Sequence, residues 1–295
     1  MNRRTALGLA LGFAVAPSQA QSAIKTWRHY ANCRFGQIHI TSAAPADASI
    51  RLKTPVVCLH QSPRSGDYFK EIRSLLAQDR LVICPDTPGF GGSDRPPTKP
   101  DMEDLGGAIA EAMVDLGYGA GGKGAIDWLA YHTGTFVLTE AVTQRPDLAR
   151  RLVMPGIPYF PPEQRPAKLK EFAQPRPYFT DPEFVGRAFK NEVLNGTAAI
   201  PIERRFEFLV ERLRAGQESW WGFDSVFRYD ADAGLKRITH PVLVPILSER
   251  ATEETRKAAK LISNAKTVEA TDLDGLSWHT NPGRMVAIIK PFLDT

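Results

Sequence analysis

Residues 125–154 read AIDWLAYHTGTFVLTEAVTQRPDLARRLVM, and the order of patterns within them decides the fold. Ala125 to Ala130 is a short apolar run of the kind that a strand buried on both faces of a parallel sheet requires. Tyr131-His132-Thr133-Gly134 follows with no polar linker and leads into a helical pattern, Phe136 to Thr143. A second apolar run, Leu152-Val153-Met154, closes the unit. Strand, sharp turn among small residues, helix and strand is the setting in which a nucleophile elbow forms. The elbow pattern is small-x-nucleophile-x-small, and here it reads Ala130-Tyr131-His132-Thr133-Gly134, with histidine where serine is usual.

The same alternation extends on either side. Trp27 to Phe35 and Gln37 to Thr41 read as two strands of a hairpin joined at Gly36. Pro55 to Leu59 is a third strand, ending abruptly in the polar loop that begins at His60. Tyr68 to Leu76 has helical spacing, with Phe69, Ile72, Leu75 and Leu76 on one face. Leu81 to Cys84 is a strand followed by the turn-rich Pro85 to Asp94, and residues 101–117 form an amphipathic helix with acids in its first turn. Beyond the central stretch, Pro241 to Leu247 and Lys266 to Ala270 are strands, with a helix near Glu253 to Ile262 and a terminal helix from Pro282 to Leu293. Buried strands alternating with helices predict an α/β protein built on a doubly wound, mostly parallel eight-stranded sheet. Ligands in such sheets bind at the carboxyl ends of the strands, where the loops starting at His60, Asp86 and Tyr131 lie.

From Pro158 to about Asp232 the pattern changes. Prolines stand at 158, 161, 162, 166, 175, 177 and 182, followed by helical stretches at Phe184 to Val193 and Ile202 to Leu213 and the aromatic patch Trp220-Trp221-Gly222-Phe223. So many large apolar residues predict a folded helical insertion rather than a disordered linker. The expected organisation is a core of residues 21–157 and 233–295 with a helical cap at 158–232.

The 295 residues are 43% apolar and 24% charged, which suits a globular chain with ample core. The net charge is only +4, without a dense basic run or basic–aromatic interleaving, which argues against nucleic-acid binding. Asn2-Arg3-Arg4-Thr5, the apolar run Ala6 to Ala16 and the small residues of Ser18-Gln19-Ala20 make residues 1–20 a signal peptide cleaved before Gln21. The paired arginines resemble a twin-arginine signal, and the apolar run is too short to span a membrane stably. The mature chain is therefore expected to be exported and periplasmic, with no membrane span. Of the three cysteines, Cys58 and Cys84 sit in apolar runs and read as buried strand residues; no metal-ligand spacing is visible.

From Trp27 to the C-terminus the chain resembles the α/β-hydrolase superfamily. VCLHQSPRS occupies the place of the oxyanion loop after strand 3, VICPDTPGFGGSDRP is similar to the DxxGxGxSxxP segment after strand 4, and AYHTG stands at the elbow. RPDLARRLVM, PVLVPILSE and WHTNPGRMVAIIKPFLD follow in the family's order. The resemblance implies the α/β-hydrolase fold with a helical cap insertion after strand 6. It places His132 at the nucleophile position, where an imidazole with an unperturbed pKa of about 6.5 is suited to act as nucleophile or general base. The helix that follows favours the neutral ring. Thr133 is a hydroxyl alternative, and its N–H and that of Gln61 are the implied oxyanion donors. The acid position falls at or near Glu249 and the closing histidine at His279, or one gap away at Leu276. His279 and Glu249 are expected to handle protons as a pair. His60, His29, His39 and His240 read as structural or surface residues. Asp127 lies inside the strand, not at the elbow as a halide-releasing enzyme of the family would require.

The resulting expectation is an enzyme without a cofactor, hydrolysing a small, partly apolar ester or related carbonyl compound. A lyase or isomerase using His132 as base, and a binding protein enclosing a small ligand between its cap and Trp220-Trp221, are the rival readings.

Overall fold

The computed structural model describes residues 23–295, so the signal sequence expected at residues 1–20 lies outside the described residues. The strands are β1 (Ile24–Cys33), β2 (Gly36–Pro45), β3 (Lys53–Leu59), β4 (Arg80–Pro85), β5 (Ile126–Ala130), β6 (Ala149–Val153), β7 (Val242–Leu247) and β8 (Ala265–Ala270). They form one eight-stranded sheet in the order β1-β2-β4-β3-β5-β6-β7-β8. The β1–β2 hairpin and the β2–β4 pair are antiparallel, and the strands from β4 to β8 run parallel. The expected mostly parallel, doubly wound sheet is thus present. β2 runs four residues past Thr41, because Ile40 to Ala43 pair with Pro85 to Val82 and give the strand a second neighbour.

Helices α1 (Lys70–Leu76), α2 (Met102–Asp115) and α3 (Thr133–Gln144) connect the strands up to β6. Between β6 and β7 lie α4 (Arg165–Phe172), α5 (Pro182–Phe189), α6 (Ile202–Arg214), α7 (Trp221–Arg228) and α8 (Ala231–Lys236). After β7 come α9 (Thr252–Ala259), α10 (Ser277–Thr280) and α11 (Pro282–Leu293). Among the described residues no helix is long and apolar enough to cross a membrane. The starts of α2 and α5 follow from local chemistry: the Asp101 carboxylate accepts the Asp104 N–H, and the Asp181 carboxylate that of Phe184 just ahead of Pro182.

Strand alternation divides the core. Val57, Leu59, Trp128 and Ala130 face the α2–α3 side, with Leu105, Ile109, Phe136 and Val137. Val56, Cys58, Leu129 and Tyr131 face the other side, with Ile72 and Leu76 of α1 and Met285 and Ile289 of α11. Cys58 and Cys84, on neighbouring strands, are buried free thiols. Asp127 is fully buried in β5 and takes a two-pronged bond from Arg150 of β6, which gives it a structural partner away from the elbow.

Helix α6 is fastened over the carboxyl end of β3 by polar contacts. Arg204 binds Glu71 of α1 at 3.0 Å and the Asp67 carbonyl at 2.6 Å, Arg64 donates to the Phe208 carbonyl at 2.6 Å, and the Ser65 hydroxyl donates to Glu211 at 3.1 Å. The guanidinium groups of Arg64 and Arg204 lie 4.8 and 4.6 Å from the Phe208 ring. Burial pushes the Glu211 carboxyl up to about 7 despite the opposing charges of Arg64 and Arg204. A carboxyl raised in the folded state keeps a proton that the unfolded chain has released, so stability falls as pH rises through the interval between the two pKa values. Urea denaturation is therefore expected to show stability declining from about pH 5 to about pH 7, with the decline flattened in Glu211→Gln. An unchanged slope in the variant would remove Glu211 as its source.

Candidate active site

The site begins where β5 runs out. The Tyr131 N–H still donates to the Leu59 carbonyl at 3.1 Å, and then the chain reverses in one residue: His132 has φ 48° and ψ −122°. It is the only non-glycine residue with positive φ among the described residues. Such a backbone costs about 1–3 kcal/mol and persists only where its surroundings hold it. Here the Gly134 N–H donates to the Tyr131 carbonyl, and the Thr135 N–H and hydroxyl both donate to the His132 carbonyl. A Cβ on Gly134 would stand 2.3 Å from the Leu59 carbonyl oxygen, so only glycine lets α3 begin this close to β3. The connection between β5 and α3 is thus a tight strand-to-helix turn with His132 at its apex.

The imidazole that this turn projects meets Glu249, two residues past β7. His132 Nε2 lies 3.2 Å from Glu249 Oε2, and the Tyr131 hydroxyl donates to the same oxygen at 2.5 Å. The Glu249 side chain is only 8% exposed, against 27% for His132. Glu249 Oε1 is buried without a partner, while the Glu249 N–H donates to the Thr252 hydroxyl. Because an ionised carboxylate only accepts, Nε2 carries the hydrogen and the lone pair is left on Nδ1, a tautomer assigned from this partner. Two glycines give the pair its room: a Cβ on Gly156 would press on Tyr131 and Glu249 Oε1, both at 2.6 Å, and one on Gly275 would lie 2.6 Å from the Tyr131 hydroxyl.

A cavity of about 710 Å³ opens above, lined by His132, Tyr131, Glu249, Gln61, His279, Leu276 and, from α6, Arg205 and Phe208. The Gln61 and Thr133 N–H groups donate to no acceptor among the described residues. Thr133 is itself buried at the start of α3. His60 is structural, as expected: Nδ1 donates to the Gln61 carbonyl and Nε2 accepts the Thr87 N–H, both at 2.9 Å. His39 binds Asp86, His29 binds Ser42 and His240 binds the Pro146 carbonyl, none of them in the cavity.

Two expectations are corrected. His279 lines the cavity but does not pair with Glu249. Helix α10 turns its ring toward α1, where Nδ1 meets Glu71 at 3.0 Å, and the rings of Tyr68 and Phe208 pack on it at 4.8 Å. Burial holds His279 below its ordinary pKa, with Arg204 and Arg64 adding to the effect against the pull of Glu71. Glu71 feels burial in the opposite direction, yet the His279 bond and Arg204 bring it below the usual carboxylate range. His279 thus lies below the usual histidine range, with an unpartnered, buried Nε2. The second correction concerns Trp220 and Trp221, neither of which lines this cavity. Lys99 lies 5.5 Å over the Trp220 ring at a separate cleft, while Phe223 and Phe227 of α7 pack on Phe172 of α4 and form the local core. Tyr131 occupies an unspecified position of the elbow pattern, and its only signal in the sequence is a hydroxyl at the end of a strand whose one other polar residue is Asp127. Among the described residues no three His, Cys, Asp or Glu side chains gather as metal ligands.

Residues 54–233 match the profile of the alpha/beta hydrolase fold family. A soluble epoxide hydrolase from a Corynebacterium species is 32% identical over 107 residues, so the match spans 35% of this chain and about a third (36%) of that relative. Among solved structures, a thermophilic esterase from Thermogutta terrifontis superposes with a TM-score of 0.70 at 21% identity, covering 91% of this chain and 98% of that one. The enol-lactonase from Burkholderia xenovorans gives 0.71 at 16% identity, over 90% and 100%.

The strained turn has a measurable consequence. Alanine at position 132 retains the strain that glycine relieves, so His132→Gly is expected to exceed His132→Ala in stability by about 1 kcal/mol in urea, after allowing for the greater unfolded-state freedom of glycine. Equal midpoints would mean that the strain glycine relieves is no larger than the unfolded-state freedom it adds.

Proposed function

The chain belongs to the alpha/beta hydrolase fold family, and on that premise we propose that it hydrolyses a small, partly apolar ester or related carbonyl compound with His132 as general base. The observation that carries this reading is the 3.2 Å contact of His132 Nε2 with the buried Glu249 carboxylate at the apex of the elbow. In a hydrolase triad, an acid orients an imidazole that deprotonates a hydroxyl. Here the imidazole–acid half stands at the elbow itself, and a water molecule takes the place of the hydroxyl. His132 Nδ1 accepts a proton from that water as its oxygen attacks the carbonyl carbon. The negative charge that develops on the carbonyl oxygen is met by the Gln61 and Thr133 N–H groups. Collapse of the tetrahedral species breaks the bond to the leaving alkoxide, which takes the proton back from the imidazolium, while Glu249 stabilises the cation between these steps.

General-base and oxyanion contributions are typically about 10²–10⁴-fold and about 10²–10³-fold. With short-chain aryl esters, His132→Ala is therefore expected to lower kcat by at least about a hundredfold and Glu249→Gln by about ten- to a hundredfold, with circular dichroism unchanged. Equal turnover by wild type and His132→Ala would sink the assignment. An acyl adduct on His132, found by mass spectrometry after acid quench, would make it the nucleophile instead.

We also propose that the protein is exported to the periplasm, supported by the three signal-peptide regions within residues 1–20. Terminal sequencing of the protein from a periplasmic extract is expected to begin at Gln21; a chain still carrying Arg3-Arg4 and retained in the cytoplasm would contradict this.

A further inference from the structure

The cavity over His132 contains positive charge that the protein itself does not answer. Arg205, on α6, lines the cavity and forms no ion pair among the described residues. One guanidinium nitrogen donates to the Gly196 carbonyl at 2.8 Å, and its Nε is buried with no partner. Gly196 leaves room for the side chain, since a Cβ there would stand 2.5 Å from Arg205 Cδ. Arg250, next to Glu249, lines the same cavity, is exposed, and also has no ion pair among the described residues.

The acids nearby are engaged elsewhere. Glu192 is shared by Arg64 and Arg212. Glu249 is occupied by His132 and Tyr131, and Asp274 accepts the Leu276 N–H and the Ser277 hydroxyl of its own turn. Arg205 carries a full charge without a counter-ion among the described residues, and its Nη2, which donates to no acceptor there, leaves the guanidinium open to a carboxylate. Phe208 and Ile200 supply apolar wall in the same cavity.

We propose that the substrate carries a carboxylate, which docks on Arg205 with Arg250 beside it while the ester or lactone carbonyl lies at His132. The substrate class is then a half-ester or lactone derived from a dicarboxylic acid, not a neutral ester. The reaction in this statement rests on the hydrolase reading; the anion site does not.

Two measurements separate them. In phosphate-free buffer, calorimetric titration of glutarate into the His132→Ala protein is expected to show binding that weakens by about tenfold or more when Arg205→Gln is added, and by less with Arg205→Lys. No binding, binding unaffected by Arg205→Gln, or inorganic phosphate binding as tightly as glutarate would overturn the carboxylate site. For the otherwise wild-type enzyme, kcat/KM for an aryl hemiglutarate is expected to exceed that for its methyl ester by about ten- to a hundredfold. That ratio should collapse toward one in Arg205→Gln and persist in Arg284→Gln, a surface charge control. Turnover of both esters without preference would overturn the proposal and leave the hydrolase reading standing. Arg205-dependent glutarate binding with neither ester turned over would uphold the anion site and count against ester hydrolysis.

Discussion

The turn at His132 is the constraint on which the site depends. Between β5 and α3 the chain changes direction at one residue held at φ 48°, and Gly134 lets the helix start in contact with the end of β3. Everything about the imidazole follows: it projects above the sheet, at the carboxyl ends of the parallel strands, beside the helix N-terminus and the Thr133 N–H, which has no acceptor among the described residues. A looser connection of the same sequence length would leave the ring free to turn away from Glu249. Strain localised in this way is retained because four backbone and side-chain hydrogen bonds and a glycine contact over-determine the turn.

Glu249 links that turn to the loop after β7, two strands away in the sheet. One of its oxygens receives the Tyr131 hydroxyl and faces His132, so consecutive residues of the elbow converge on a carboxylate delivered by β7. Gly156 after β6 and Gly275 before α10 leave the space this requires. The two histidines of the cavity belong to separate electrostatic systems. His132 is oriented by Glu249, whereas His279 is bonded to Glu71 and separated from the first pair by the rings of Tyr68 and Tyr131.

The helical segment between β6 and β7 contributes charge as well as cover. Its α6 helix is held to α1 and the β3 loop through Arg204, Phe208 and Glu211, and these contacts carry Arg205 into the cavity. A clasp made of ion pairs and a buried carboxyl responds to pH and ionic strength, unlike the apolar interior of the sheet.

The sequence by itself determined the sheet, because strand burial and helix amphipathicity are written in local periodicity: β5 lies where its apolar run placed it, α3 and β6 each begin three residues earlier than their patterns predict, and α11 spans Pro282–Leu293 as expected. It also located the sharp turn between β5 and α3, since that turn is a local pattern of small residues. What only the tertiary structure decided is which side chains meet. The bond from Tyr131 to Glu249 spans 118 residues, and that from His279 to Glu71 spans 208. Such partners are chosen by where loops from different strands end and which way a short helix faces, not by spacing along the chain. That is why His279 and Glu249 were expected together and stand apart. Trp220 and Trp221 were drawn toward the ligand for the same reason: an aromatic cluster reads alike whether it lines a cavity or packs one helix on another.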